Sequence, residues 1–385
     1  MKPDFLNGID TFLHYRQAYG NKRLALVTNN AAITAKGQLS RVALLAAGFN
    51  VVRLFSPEHG IHRTGADGVA QDNDLDEITG LPVTSLYGSG LKPSRQDLEG
   101  IDLMLFDIPD IGCRFYTYLW TMTYVMEACA DNNLPLIVLD RPNPIGALLA
   151  KAEGPTLDEK YCSSFIGRWA IPLKHSCTLG ELALYFAATR LPALDLEVVR
   201  AENYSRDYTA LNEFIFVPTS PAMQDVHTAM LYPGMGLLEG INVNEGRGTR
   251  EPFRVCGAPF ISGEKLRDAC ATSTISGVKI ESHAYVPTEG LYKNERCEGV
   301  RFMVIDPLVL QPVTLGISLL RALFSLYPEH IQMRLYKTAA NPGGAGHLDK
   351  LLGLHGSFDL LRNNADIPTD VKHSWAAVIA PYLLY

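Results

Sequence analysis

The stretch Val51–Gly60, VVRLFSPEHG, joins an apolar run to an abrupt polar stop. Five residues that are mostly branched or aromatic suit a strand covered on both faces, and Pro57, which has no N–H for a sheet ladder, ends it. Glu58 and His59 are thereby delivered at a strand end. The same pattern recurs on either side: Leu24–Thr28 ends at Asn29 and Asn30, Pro82–Leu86 at Tyr87, Ile101–Phe106 at Asp107, and Leu134–Leu139 at Asp140. Helical segments separate several of these runs, Gln38–Ala47 stopped by Gly48 and the aromatic-rich Phe115–Ala130. Strand–helix–strand alternation requires parallel crossovers, so the fold class is α/β with a doubly wound parallel sheet. Ligands of such sheets bind outside the carboxyl ends of the strands. Those ends here gather Asn29, Glu58, His59, Tyr87, Asp107, Asp110, Asp140, Arg141 and Asn143. Thr178–Thr189 opens with capping-box spacing, and Leu196–Val199 could add a strand.

After about residue 215 prolines and glycines break this rhythm. Strands over Val278–Tyr285 and Val300–Ile305, with an amphipathic helix over Thr314–Leu326, predict a second, smaller α+β domain. The expected division is 1–230 and 231–385.

Composition narrows the function. In 385 residues the net charge is −7 and Lys and Arg form no run, which argues against a nucleic-acid partner. No stretch of about 18 apolar residues occurs, and the N-terminus lacks the apolar core of a leader, so no membrane partner and a cytoplasmic location are expected. Seven scattered cysteines without a C-x-x-C pair read as isolated thiols in a reducing compartment. No G-x-G-x-x-G follows the first strand and no P-loop sequence occurs, so a dinucleotide or P-loop reading loses its main support.

Several constellations bear on chemistry, each with a plainer reading beside it. Glu58 on a Pro-constrained strand end suits a general acid tuned by burial, or a carboxylate tied to Arg63. His59 and His62, with Asp107 or Asp140, sketch a metal site short of the usual converging ligands, and His59 reads better as a hydrogen-bonding neighbour of Glu58. In Asp107–Tyr118, DIPDIGCRFYTY, Arg114 could hold a carboxylate or acetamido oxygen while Tyr116 and Tyr118 form a sugar-stacking wall, or all three could be structural. Cys113 has no paired base and reads as a small buried side chain. Asp140-Arg141-Pro142-Asn143-Pro144 is a stiff turn able to position a ligand. Glu239 and Glu245 share a glycine-rich loop with Asn242, Arg247 and Arg250, where backbone can approach a ligand closely. Carboxylates from two domains facing one another across a cleft are what glycoside hydrolysis needs.

These stretches together resemble the exo-acting β-N-acetylmuramidases of the NamZ type. The likeness rests on LVTNNAAITAKG (26–37), LFSPEHGI (54–61), TGLPVTSLYG (79–88), IDLMLFDIPDIGCRFYTYLWTM (101–122), VLDRPNPIG (138–146), EGP (153–155), HSCTLGELA (175–183), LYPGMGLLEGINVNEGRGTREPF (231–253) and GAPFI (257–261). It implies a Rossmann-like domain with the active site against a smaller one, and release of N-acetylmuramic acid from the non-reducing end of peptidoglycan fragments without metal or organic cofactor. It places the acid on Glu58 and its partner on Glu239 or Glu245, and adds His175 to the substrate-binding set. The lactyl carboxylate of the sugar calls for a cation, with Arg63, Arg114, Arg141 and Arg247 as candidates. Pro109, Ser176, Ala222 and Gln224 depart from the family pattern. Two alternatives stand beside this reading: a non-catalytic muro-sugar-binding protein, and a metal-dependent hydrolase built on His59, His62 and Asp107.

Overall fold

Runs such as LALVT and LMLFD bury every side chain, which a parallel strand with helices on both faces demands. In the computed structural model, which describes residues 5–70, 72–88, 90–207, 214–271 and 275–385, they form the middle of a seven-stranded sheet. The strands in chain order are β1 (Leu24–Thr28), β2 (Val51–Ser56), β3 (Asp74–Leu75), β4 (Pro82–Ser85), β5 (Leu103–Asp107), β6 (Leu136–Leu139), β7 (Glu153–Thr156), β8 (Pro172–Lys174), β9 (Leu196–Val199), β10 (Val255–Ala258), β11 (Val278–Tyr285) and β12 (Cys297–Val304). The large sheet runs β3-β4-β2-β1-β5-β6-β9, and only the short edge strand β3 is antiparallel to its neighbour. Strand order reverses beside β1, so the chain is doubly wound as the alternation predicts. Strands β7 and β8 pair as a separate ribbon.

The second lobe is built on the antiparallel sheet β10-β12-β11, backed by helix Gly263–Ala271, on which helix Pro312–Leu326 packs in turn. Helix Pro312–Leu326 also packs on helix Val226–Met235, which leads directly into the turn Gly236–Gly240 carrying Glu239. The C-terminal helix Lys372–Ile379 returns to the first lobe, where Trp375 donates through Nε1 to the His175 carbonyl at 2.8 Å. One continuous buried apolar cluster includes Met104, Trp120 and Leu182 of the first lobe together with Leu237, Phe302 and Leu320 of the second. A shared core of this kind fixes the lobes against each other. Among the described residues no helix is long and apolar enough to cross a membrane.

Candidate active site

Strand β2 ends at Pro57, and the chain then makes a strained turn in which His59 and Arg63, neither a glycine, adopt left-handed φ values of 69° and 63°. Such conformations persist where the surroundings over-determine them, often at functional sites. The turn puts the Glu58 side chain inward, 5 % exposed, where its Oε2 accepts from Thr117 Oγ1 at 2.8 Å and its Oε1 from the Gly68 amide at 2.9 Å. Gly68 is itself fastened to the second lobe, its carbonyl accepting from the Ala339 amide at 2.8 Å. A Cβ at this position would come within 2.7 Å of Thr338 Cγ2, so the close approach of the lobes beside Glu58 needs glycine.

Glu58 lines a cavity of about 310 Å³ between the lobes, at the lower end of the range for small-molecule sites. Its walls include Tyr87, Phe115, Tyr116, Tyr232, Phe253 and Tyr336, so aromatic surface is offered from both lobes. Tyr232 meets Phe115 and Phe253 edge-on at centroid distances of 5.0 and 4.7 Å. Packed at this angle, the rings hold one another in place.

The polar groups of the cavity centre on Arg247. It pairs with Glu239 at 2.6 Å, with Asp67 at 3.1 Å and with Glu245 at 3.3 Å, and lies over the Phe253 ring at 4.8 Å. Arg334 joins Glu245 at 3.1 Å. Tyr336 donates to Asp67 and lies 3.4 Å from Glu239. Three carboxylates thus share two guanidinium cations, with Glu58 beside Asp67 and unpaired to either, which favours keeping a proton on at least one acid. Burial pushes the Glu58 carboxyl above its usual range and the Asp67 charge adds to this, against the lowering pull of His59 and two hydrogen bonds. Burial also pushes Glu239 up, to about 8, with Arg247 opposing and Asp67 and Glu245 reinforcing. Asp67, whose side chain is 37% exposed, is raised by what desolvation the cleft imposes, but Arg247, His59 and the Tyr336 hydroxyl outweigh this and hold that carboxyl below its usual range. One ligand-type atom each of Glu58, His59 and Asp67 lies within 4.8 Å of the others. Two carboxyls side by side, one protonated and one ionised, can perform acid catalysis and stabilise positive charge together.

Both halves of the chain match the profile of one family. The description "Exo-beta-N-acetylmuramidase NamZ, N-terminal" fits residues 24–227, and "Exo-beta-N-acetylmuramidase NamZ, C-terminal" fits residues 230–385. The chain belongs to the NamZ family. It is 38% identical over 359 residues to the peptidoglycan beta-N-acetylmuramidase NamZ of Bacillus subtilis (strain 168), covering 91% of this chain and 83% of that protein. Two crystal structures of DUF1343 family proteins from Bacteroides fragilis NCTC 9343 superpose with TM-scores of 0.87 and 0.74, at 28% and 27% identity, over 99% of each chain.

Of the residues that the NamZ likeness and the strand ends single out, Glu58, His59, Tyr87, Tyr116, Glu239 and Arg247 line the cavity. Glu245 sits behind it, 1 % exposed, held by Arg247 and Arg334. Tyr118 is one layer back, edge-on to Tyr116, its hydroxyl donating to the Thr219 carbonyl at 2.6 Å.

The remaining candidates point elsewhere. Arg63 donates to the Pro218 carbonyl. Arg114, fully buried, donates to the carbonyls of Pro155, Ile171 and Leu351. Arg141 grips Asp107 with two bonds of 2.6 and 3.0 Å. Asp140, pushed up to about 6 by burial, accepts from Thr178, Gly180 and Tyr385. Asn143 donates to the Cys177 carbonyl, Asn29 accepts from the Ala31 amide, and Asn242 ties two backbone groups at 330 and 332. His175 faces Asp110 at 3.5 Å and the Cys177 amide. His62 lies against Asn30, so His59, His62 and Asp107 do not converge. Among the four departures from the family pattern only Ala222 lines the cavity.

Reading by residue type missed Asp67, Thr117, Tyr232, Tyr336 and Lys350, all on the cavity wall. Asp67 stands before Gly68, which reads as an ordinary turn dipeptide. Tyr336 and Lys350 lie past residue 261, where the quoted stretches of likeness end, and nothing local marks Tyr336.

Proposed function

We propose that this chain is an exo-acting glycoside hydrolase releasing N-acetylmuramic acid from the non-reducing end of peptidoglycan fragments, with Glu58 as general acid. The observation that carries the reading is the Glu58–Asp67 pair, two carboxyls within 4.8 Å whose surroundings drive their proton affinities apart. Glu58 gives its proton to the leaving oxygen as the glycosidic bond breaks. Asp67 faces the positive charge that develops at the anomeric carbon, either directly or by orienting the substrate's own 2-acetamido group. Water then adds to that carbon and returns a proton to Glu58. The short separation supports retention of configuration, since inverting pairs stand about 6.5–9.5 Å apart to admit a water. Glu239 stands beside Asp67 on the Nη2 of Arg247 that both share, while Glu245 braces Arg247 from its Nε. We further infer that the chain divides near residues 230 and 231, and that the seven free, buried cysteines support a reducing, cytoplasmic setting.

The test is release of N-acetylmuramic acid from a chromogenic glycoside. Glu58→Gln should lower turnover by roughly 10²–10⁴-fold, the usual weight of a positioned acid. Full turnover by this variant would overturn the assignment. A sugar-binding protein without turnover would bind the glycoside and release nothing. A divalent cation held by Glu58, His59 and Asp67 is a second reading, favoured by their convergence within 4.8 Å. Both Glu58 oxygens already accept hydrogen bonds, which weighs against it. Loss of turnover on chelation, restored by added metal, would establish it instead.

A further inference from the structure

A sugar bearing a carboxylate enters a cavity that already holds Glu58, Asp67 and Glu239, so its own charge needs a cation not committed to these acids. Arg63, Arg114 and Arg141 are spent on protein oxygens away from the cavity. Arg247 has a free Nη1 but stands among three carboxylates, and a fourth beside them would be repelled. Lys350, on helix His347–Leu352, also lines the cavity. Its ammonium donates to the Ala345 carbonyl at 3.1 Å and forms no ion pair among the described residues, leaving two of its three N–H groups for a ligand. The adjacent acid, Asp349, accepts instead from the Gly356 and Ser357 amides. Ser164 also lines the cavity, with its hydroxyl buried and without a hydrogen-bond partner among the described residues. A cation with spare donors and an unpaired buried hydroxyl together suit a carboxylate.

Resting on the glycosidase reading above, we propose that Lys350 and Ser164 form the subsite that binds the substrate's lactyl carboxylate and selects muramic sugars over uncharged N-acetylhexosamines. The experiment compares aryl glycosides of N-acetylmuramic acid and of its lactyl carboxamide, with kcat and KM measured separately. Wild-type enzyme should prefer the acid. Lys350→Met should raise KM for the acid roughly tenfold to a hundredfold, the range for losing a hydrogen bond to a charged group, with a smaller change in kcat. It should also bring the acid-to-amide preference close to one, and Lys350→Arg should restore most of it. Ser164→Ala removes a single hydroxyl and should narrow the preference in the same direction, which keeps the test available should Lys350→Met not fold. Unchanged KM and preference in both Lys350→Met and Ser164→Ala would overturn the proposal. Failure of the wild type to cleave either glycoside would instead sink the glycosidase reading on which it rests.

Discussion

At the scale of single residues the decisive relation is between Glu58 and Asp67. Glu58 is silent as an acid unless protonated, and Asp67 can stabilise positive charge only when ionised. Burial and the Asp67 charge lift the first, while Arg247, His59 and Tyr336 depress the second. The rate should therefore fall as pH rises through the raised Glu58 value and fall again as pH drops through the lowered Asp67 value. Asp67→Asn tests the coupling. It removes the like charge that helps hold the proton on Glu58, so the alkaline limb of kcat against pH should move to lower pH while kcat drops by roughly 10²-fold or more. An alkaline limb that stays in place, whatever the loss in kcat, would mean that Asp67 acts only in structure.

At the scale of elements, the second carboxylate wall depends on how helix Val226–Met235 enters the turn Gly236–Gly240. Helix Pro312–Leu326 crosses it at Gly234 and Gly316, where a Cβ on Gly316 would collide with the Gly234 carbonyl. Gly316→Ala should destabilise the protein by about 1–3 kcal/mol through overpacking, read as a lower midpoint in a denaturant titration. It should also raise KM, because the displaced helix carries Tyr232 and leads to Glu239. A variant with wild-type midpoint and KM would show that the crossing yields freely. The same element marks a limit of reading from sequence. The parallel strands are legible because full burial writes them as short apolar runs between turn residues, and β1, β2, β4, β5, β6 and β9 all lie where such runs fall. Helix Val226–Met235 contains Pro233 and Gly234, which speak locally for a loop, and close packing against another backbone reverses that preference. The Glu58 strand end was legible because its own backbone presents it. Arg114, by contrast, sits in a motif shared with site residues yet turns to three carbonyls, a choice made by tertiary contacts that no local pattern encodes.

At the scale of the whole molecule, a site between two lobes suggests opening and closing, yet the apolar cluster passes without a break from one lobe to the other. The polar seam follows the same line: Asp67 reaches Arg247 and Tyr336, Gly68 holds Ala339, and Glu153 of the first lobe accepts from the amides of Val313 and Thr314. Separating the lobes would expose the shared core and break these pairs, and a lobe stripped of half its core loses the burial that offsets chain entropy. The lobes should therefore unfold together. Far-ultraviolet circular dichroism reports both sheets, and tryptophan fluorescence comes from Trp120 and Trp375 in the shared core and from Trp169 packed against it. In urea the two signals should give coincident, single transitions, as all-or-none unfolding requires. Two separated midpoints would show that the lobes are independent bodies. The active site would then be assembled by their closure rather than built into one folded unit.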